Sequence, residues 1–500
     1  MTATPLSPSA PAAASTPGHP RRWAGLAVLA ASLLVVVMDM TVLNVALPAL
    51  AAETGASALQ QLWIVDAYPL VLAGLLVPVT ALADRIGRKR MLLTGFAIFA
   101  VASTVVLWVD TAGTVIALRV ALGLGGAMIM PSTLSLIRTL FTDPQERAYA
   151  LGLWAAMASL GAAVGPVVGG ALLEVWSWHA AFLVNVPLMV VAIAAGLWLL
   201  PESRSSRPGR IDLPGVVLTV GGMVALVYGV KELGKVGLGP VSVGGVLLGA
   251  LLLAVFVRRS LHQTDPMLAV SLFRLPLFRA GVVAALASSI TMMALLFVGS
   301  QWLQLVQGWG PLLAGVALLP LAVSGLVASP LAPAIASRFG ARRAVVLGLL
   351  LLAAGPLVLF LTPRPMPYLW VAVALTLVGL GTGALALASA LIVGSAPQHQ
   401  VGSAAAVEEI CYELGAVLSI SVLGGLTAAL YRGGLPASAS ADARESLALA
   451  LDTPVAAAAQ AAYTDAFGWV GLAGALLMLV AAWLVHRLLP ADLDLAELEH

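Results

Sequence analysis

The stretch Ala83-Asp84-Arg85-Ile86-Gly87-Arg88-Lys89-Arg90 lies between two apolar runs, and Ala336-Ser337-Arg338-Phe339-Gly340-Ala341-Arg342-Arg343 lies between two others much later in the chain. A short basic turn used twice in this way marks an internal repeat. Repeats assembled from hydrophobic segments predict two homologous helical bundles side by side in a membrane. Apolar runs read against turn and charge punctuation predict fourteen spans, at 23–50, 58–82, 91–109, 114–138, 148–173, 179–200, 212–233, 241–258, 280–306, 313–336, 343–362, 367–395, 403–431 and 466–489. Each is close to or above the roughly 20 residues that a crossing helix needs.

The repeat divides these spans into a six-helix bundle over 23–210, an inserted pair over 211–260, and a second six-helix bundle over 261–489. The fold class expected is therefore all-α and integral to the membrane. The Pro-, Ala-, Ser- and Thr-rich residues 1–22 are expected to be a disordered cytoplasmic tail, 490–500 a second cytoplasmic tail, and 432–465 the one sizeable outside loop. The apolar run after Arg21 and Arg22 is too long for the core of a signal peptide, so it is expected to remain as the first span.

Charge gives an independent check on the count. With the N-terminus inside, 19 of the 25 lysines and arginines fall in inside segments, and 5, Lys231 among them, fall outside. Such an excess orients a membrane protein with both termini cytoplasmic, and a missed span would scramble it. The location expected is the plasma membrane.

The composition is 61% hydrophobic and 10% charged with a net charge of +2, which excludes a soluble fold and gives no basic surface for nucleic acid. Cys411 is the single cysteine, and the six histidines fall at span ends, in loops or in tails. No metal centre or other cofactor is expected, and no catalytic constellation argues for a membrane-embedded enzyme or a receptor.

Charged side chains inside spans therefore carry the functional argument. Asp39, Asp66, Glu408, Glu409 and Glu413 are placed within apolar helices, as is Arg119 in Leu118-Arg119-Val120. A lone charge at a helix centre costs about 2.5–3.5 kcal/mol even on the lenient insertion scale. Each must then pair, face water or, for an acid, hold a proton. For Arg119 a structural tether to a carboxylate or to carbonyls competes with a functional role. An acid that loses its proton as a cation arrives couples the two events. Glu409 and Glu413 share a helix face, whereas Glu408 points about 100° away. In the fifth span Gly161, Gly165 and Gly169 recur four apart beside Pro166 and Gly170, a spacing that permits close helix packing and bending.

The first turn, with its Asp84-Arg85-x-Gly87-Arg88 core, resembles the loop signature of the major facilitator superfamily, although Thr80 stands where that signature begins with glycine. Gly165-Pro166-x-x-Gly169-Gly170 resembles the signature of exporters in that superfamily. Met38-Asp39 through Pro48, Gln61 through Tyr68, Gly299 through Gln304 and Ala404 through Gly415 resemble the fourteen-span drug:proton antiporter branch, and together they look like a QacA-type quaternary-ammonium efflux pump.

The resemblance implies a monomer that exchanges protons for small lipophilic cations across the bilayer. Asp84 would then pair at helix ends to hold the outward-open state. Asp39, Glu409 and Glu408 would serve proton coupling, tuned by Arg119. Asp66 and Glu413 would contact drug, with Trp63, Tyr68, Trp154, Trp302 and Tyr412 offering aromatic faces to a cation. Gly325 stands where relatives that handle divalent cations carry an acid, which favours monovalent substrates. An alternative is export of an endogenous metabolite or antibiotic.

Overall fold

A computed structural model describes residues 20–204, 212–263, 266, 268–397 and 400–490. The expected tails therefore lie outside the described residues except at Pro20–Arg22 and Pro490, as do Arg207, Arg210, His19, His399 and His500.

Fourteen helices among the described residues are long and apolar enough to cross a membrane, so the chain is a multi-pass integral membrane protein. In order they are spans 1 (Arg22–Thr54), 2 (Ala58–Ile86), 3 (Arg88–Trp108), 4 (Ala112–Leu140), 5 (Tyr149–Val175), 6 (Ala180–Leu199), 7 (Leu213–Leu233), 8 (Pro240–His262), 9 (Pro276–Val306), 10 (Pro311–Phe339), 11 (Ala341–Leu361), 12 (Tyr368–Gly394), 13 (Ser403–Gly434) and 14 (Ala456–Leu488). An α-helix satisfies its backbone groups within its own segment, where lipid offers no hydrogen bonds. The longest spans have 33 residues, which at about 1.5 Å per residue exceeds a hydrocarbon layer of about 30 Å, so their ends stand beyond it. An even count puts the start of span 1 and the end of span 14 on one side, termed the near face here; the opposite side is the far face.

Spans 1–6 and 9–14 form the two bundles. Within the first, the glycines of span 5 bring its backbone onto span 1: a Cβ at Gly161 would lie 2.7 Å from the Leu34 carbonyl, one at Gly165 would overlap the Thr41 hydroxyl, and one at Gly169 would meet Val42. The seam therefore passes on either side of Asp39. Beyond it, Pro166 and Gly170 pack against Gly315 and Pro311 of span 10, in the other bundle.

Besides a bond from Ser421 to Asp66 (2.8 Å), several hydrogen bonds join the bundles toward the far face. Ser300 donates to the Asn44 carbonyl (2.8 Å), Gln304 to the Val45 carbonyl (3.1 Å), Gln61 to Ser446 (3.2 Å) and the Leu312 amide to Glu174 (3.4 Å).

The two near-face turns share a backbone device as well as a sequence. Gly87 has φ +118° and Gly340 has φ +88°, in the region that glycine enters without a Cβ penalty. The segment leaving span 6 clasps the first turn: the Arg88 amide donates to the Ser203 carbonyl (2.9 Å), the Lys89 amide donates to Glu202 (3.2 Å), and a Cβ on Gly87 would collide with Glu202. In the second turn Arg342 Nε donates to His486 Nδ1 (3.2 Å).

Spans 7 and 8 form a hairpin whose near end is tied by Arg259, which donates to both oxygens of Asp212 (3.1 and 3.0 Å) and holds that carboxyl below its ordinary range. Gly229, Gly245 and Gly249 bring the two helices close. Span 7 lies along span 2, with Val220 against Gly74, and Met223 and Val227 against Leu70, Ala73 and Val417 of span 13.

Two sequence expectations need correction. Span 14 begins at Ala456, ten residues before the expected 466, which shortens the 432–465 loop and leaves only the short helices Ala441–Glu445 and Leu447–Ala450 within it. Gln460, Thr464 and Asp465 masked an alanine-rich helix start, and Gln460 is absorbed by donating to the Leu305 carbonyl (2.9 Å). Lys231, counted with outside loops, is instead 1% exposed inside the protein.

The span 1–5 seam predicts that Gly165→Val destabilises the protein by about 1–3 kcal/mol or more through overpacking. Gly152→Val, where a Cβ meets nothing within 4 Å, should be silent. Thermal midpoints of the two purified variants compare these outcomes directly.

Candidate functional site

Asp39, midway along span 1, is 3% exposed and holds partners on both oxygens. Arg119 Nη1 donates to Oδ2 at 2.7 Å, and the Asn185 side-chain amide of span 6 donates to Oδ1 at 2.6 Å. Arg119, 1% exposed, also donates from Nε to the Ile64 carbonyl (3.1 Å), and its guanidinium lies 4.6 Å from the centre of the Tyr68 ring. The cost of burying an unpaired guanidinium is thus met by a carboxylate, a carbonyl and an aromatic face. Asn185 was not singled out from the sequence; a lone amide in an otherwise apolar span was its only signal.

A second group of the same composition lies nearer the far face. Asp66 is completely buried, and its Oδ2 is 2.8 Å from Lys231 Nζ, which reaches in from span 7. Lys231 also donates to the Leu62 carbonyl (2.9 Å) and stands 3.9 Å above the centre of the Trp63 ring. The Ser421 hydroxyl of span 13 donates to the same carboxylate oxygen (2.8 Å). Ser421 belongs to a π-helical turn, Ser419–Gly424, whose wider helical register offsets the side chains that follow. Oδ1 of Asp66 accepts no hydrogen bond among the described residues. Asp66 and Trp63 were expected to meet a drug cation; here the chain's own ammonium occupies both.

The acids of span 13 differ. Glu408 accepts from the Tyr412 hydroxyl (2.9 Å). Glu413 is 5% exposed, its Oε2 accepts no hydrogen bond among the described residues, and Arg119, Tyr68 and Glu409 lie within electrostatic range of it. Among the described residues, none of Glu408, Glu409 and Glu413 forms an ion pair. Asp39 and Asp66 carry resident cations, and among the described residues the span 13 acids do not.

The aromatic expectations divide. Trp302 is a correction: it is fully buried within the second bundle, its indole N–H donates to Thr464 (3.1 Å), and it packs beside Phe467, so it serves the core. Tyr68 is likewise fully buried beneath Arg119 and presents no surface to a ligand. Trp154 donates its N–H to Thr133 of span 4 (3.1 Å) and remains partly exposed. Asp84, expected to pair with neighbouring helix ends, accepts two hydrogen bonds from Arg88 one turn along (3.1 and 2.9 Å). Arg85 follows on the same helix end. Gly325 faces span 12, where a Cβ would lie 3.0 Å from the Thr382 hydroxyl.

Comparison with known proteins agrees with this architecture. The family model described as Major Facilitator Superfamily matches residues 29–420. The chain is 39% identical to the multidrug efflux pump LfrA of Mycolicibacterium smegmatis over 482 residues, covering 93% of this chain and 96% of the relative. It is 35% identical to the methyl viologen resistance protein SmvA of Salmonella typhimurium, covering 85% and 86%. It is 34% identical to the puromycin resistance protein pur8 of Streptomyces alboniger, covering 81% of each. A solved bacterial homolog of the human lysosomal transporter Spinster, in an inward-facing and unoccupied conformation, superposes with a TM-score of 0.66 over 94% of this chain and 98% of that one; at 17% identity it speaks for the fold alone.

Removing one member of a buried ion pair costs about 3–5 kcal/mol because the other charge is stranded. Arg119→Met should therefore lower the thermal midpoint sharply, and Asp39→Asn/Arg119→Met should recover most of the loss. A double variant no more stable than the single one contradicts the pairing.

Proposed function

The chain belongs to the Major Facilitator Superfamily, and from that premise we propose that it is a proton-coupled antiporter that exports small lipophilic cations. It is a membrane transporter rather than an enzyme, and its relatives are named for multidrug efflux and for resistance to methyl viologen or puromycin. The near face is the cytoplasmic one in this reading, because it carries the excess of Lys and Arg.

The observation that carries the proposal is Arg119, paired with Asp39 at 2.7 Å and within electrostatic range of the unpaired Glu413. The guanidinium is bonded to a carboxylate of the first bundle and acts at longer range on one in the second. With Asp39 ionised, Arg119 stays on Asp39 and Glu413 is free to bind a cation arriving from the cytoplasm. With Asp39 protonated from the outside, Arg119 loses its partner, turns to Glu413 and displaces the cation. Drug and proton then compete without ever touching. Glu409 adds negative charge near Glu413, and the partly exposed Tyr412, next to Glu413 in sequence, offers an aromatic surface.

The scheme fixes the sign of the pH dependence. Cation binding strengthens as pH rises and Asp39 ionises, and weakens as pH falls. Asp39→Asn mimics the protonated state: it should bind a monovalent cationic dye at least tenfold more weakly than wild type, without the pH dependence, and should not drive dye efflux from vesicles carrying a proton gradient. Wild-type binding and pH dependence in Asp39→Asn sink the scheme. Methyl viologen, a dication, should be exported less well than a monovalent dye, because Gly325 supplies no further acid. Equal export of both contradicts that preference.

The relative named for puromycin resistance supports a second reading, in which the natural cargo is an antibiotic or another metabolite. A panel of neutral antibiotics run in the same vesicles separates the readings, because the Glu413 scheme requires a cationic cargo.

A further inference from the structure

Lys231 lies outside the coupling scheme, yet it is among the most thoroughly buried cations of the protein. It comes from the inserted hairpin and joins three units at one point: span 7 by its own stem, span 2 through Asp66, Trp63 and the Leu62 carbonyl, and span 13 through Ser421, which shares the Asp66 oxygen. Its surroundings are those of a site for an organic cation. A carboxylate oxygen is 2.8 Å from the charge, an indole face is 3.9 Å from it, and Tyr228 lies 6.4 Å from that indole, one turn before Lys231 on the same helix. The second oxygen of Asp66 is buried with no hydrogen bond among the described residues, so this carboxylate has acceptor capacity that a single ammonium does not use. From the far face a narrow cleft reaches Lys231 between Ala58, Leu59, Leu62, Gly425, Ala428 and the polar pair Arg432 and Glu445.

We propose that Trp63, Asp66 and Ser421 form a second cation site on the release side of the pathway, and that Lys231 is a tethered cation that competes with cargo for it. The inference rests on the cation reading of the preceding section. An exporter needs low affinity where it releases, and a resident ammonium at high local concentration supplies it, because cargo can rest there only by displacing that ammonium from Asp66. Lys231 fills the site while the far side is closed. When the bundles part there, Ser421 leaves with span 13, and Lys231, anchored to span 2 through Leu62, remains to expel the departing cation and to oppose its return. The ammonium thus acts as a specificity-determining group, because any cargo resting at Asp66 must displace a charge equal to its own.

Equilibrium binding of radiolabelled benzyltrimethylammonium, a small monovalent quaternary cation, to the purified full-length protein tests this directly. Wild type should bind one equivalent and Lys231→Met two, the second being lost in Lys231→Met/Asp66→Asn. Lys231→Gln keeps a hydrogen-bond donor for Leu62 and Asp66 while removing the charge; it guards against a folding defect in Lys231→Met and should also bind two. A count of one in both single variants, or a second site that survives the Asp66→Asn change, overturns the tethered-cation role while leaving the cation reading intact. No binding to wild type or to any variant overturns both.

Discussion

A charge buried among apolar helices must be answered by another charge, and this requirement organises the protein. Asp39 with Arg119 over Tyr68, and Asp66 with Lys231 over Trp63, are the same answer given twice: a carboxylate, a cation and an aromatic face. Each is completed by a neutral donor, Asn185 in one case and Ser421 in the other. In a medium of low dielectric the pair is held together strongly, and the loss of either member is expensive. Packing follows from this. Span 5 lies close on span 1 through glycines on both sides of Asp39, and the inserted hairpin is positioned so that Lys231 meets Asp66.

The same constraint makes span 13 different. Glu408, Glu409 and Glu413 form no ion pair among the described residues, and Glu413 has an oxygen without a donor. In the proposed account that deficit is the binding capacity of the transporter. Cargo supplies the charge that the fold withholds, and Arg119 decides which carboxylate is left in deficit. The two bundles are repeats in sequence and in the positive-φ glycines of their near-face turns, yet they are opposite in electrostatics. Asp39 and Asp66 of the first bundle are met by cations of the chain itself, whereas in the proposed account the acids of span 13 wait for a foreign one.

Much of the fold was legible because hydropathy and charge punctuation report directly on where a helix can cross lipid. The count of fourteen spans came from this, as did the expectation that Arg119 must have a partner. Partners that come from distant spans were not legible. Lys231 lies beside Glu232 and two residues from the end of span 7, so in sequence it has the look of a loop charge; only the register of span 7 against Gly74 and Leu62 of span 2 turns it inward. Glu202 had no motif to mark it, although Gly87 needs it as a neighbour. Trp302 shares a motif with polar neighbours, and that association was misleading, because its indole N–H is satisfied inside the bundle by Thr464. Sequence reports the cost of a residue's burial; the identity of whatever meets that cost depends on packing.

The central claim is that cargo binding and proton release are joined through Arg119 and not through Asp66. Protons released when a monovalent quaternary cation is added to weakly buffered, purified protein measure this most directly. The account predicts release from wild type and from Asp66→Asn, and none from Asp39→Asn. Release that persists in Asp39→Asn, or that disappears in Asp66→Asn while binding is retained, would contradict it.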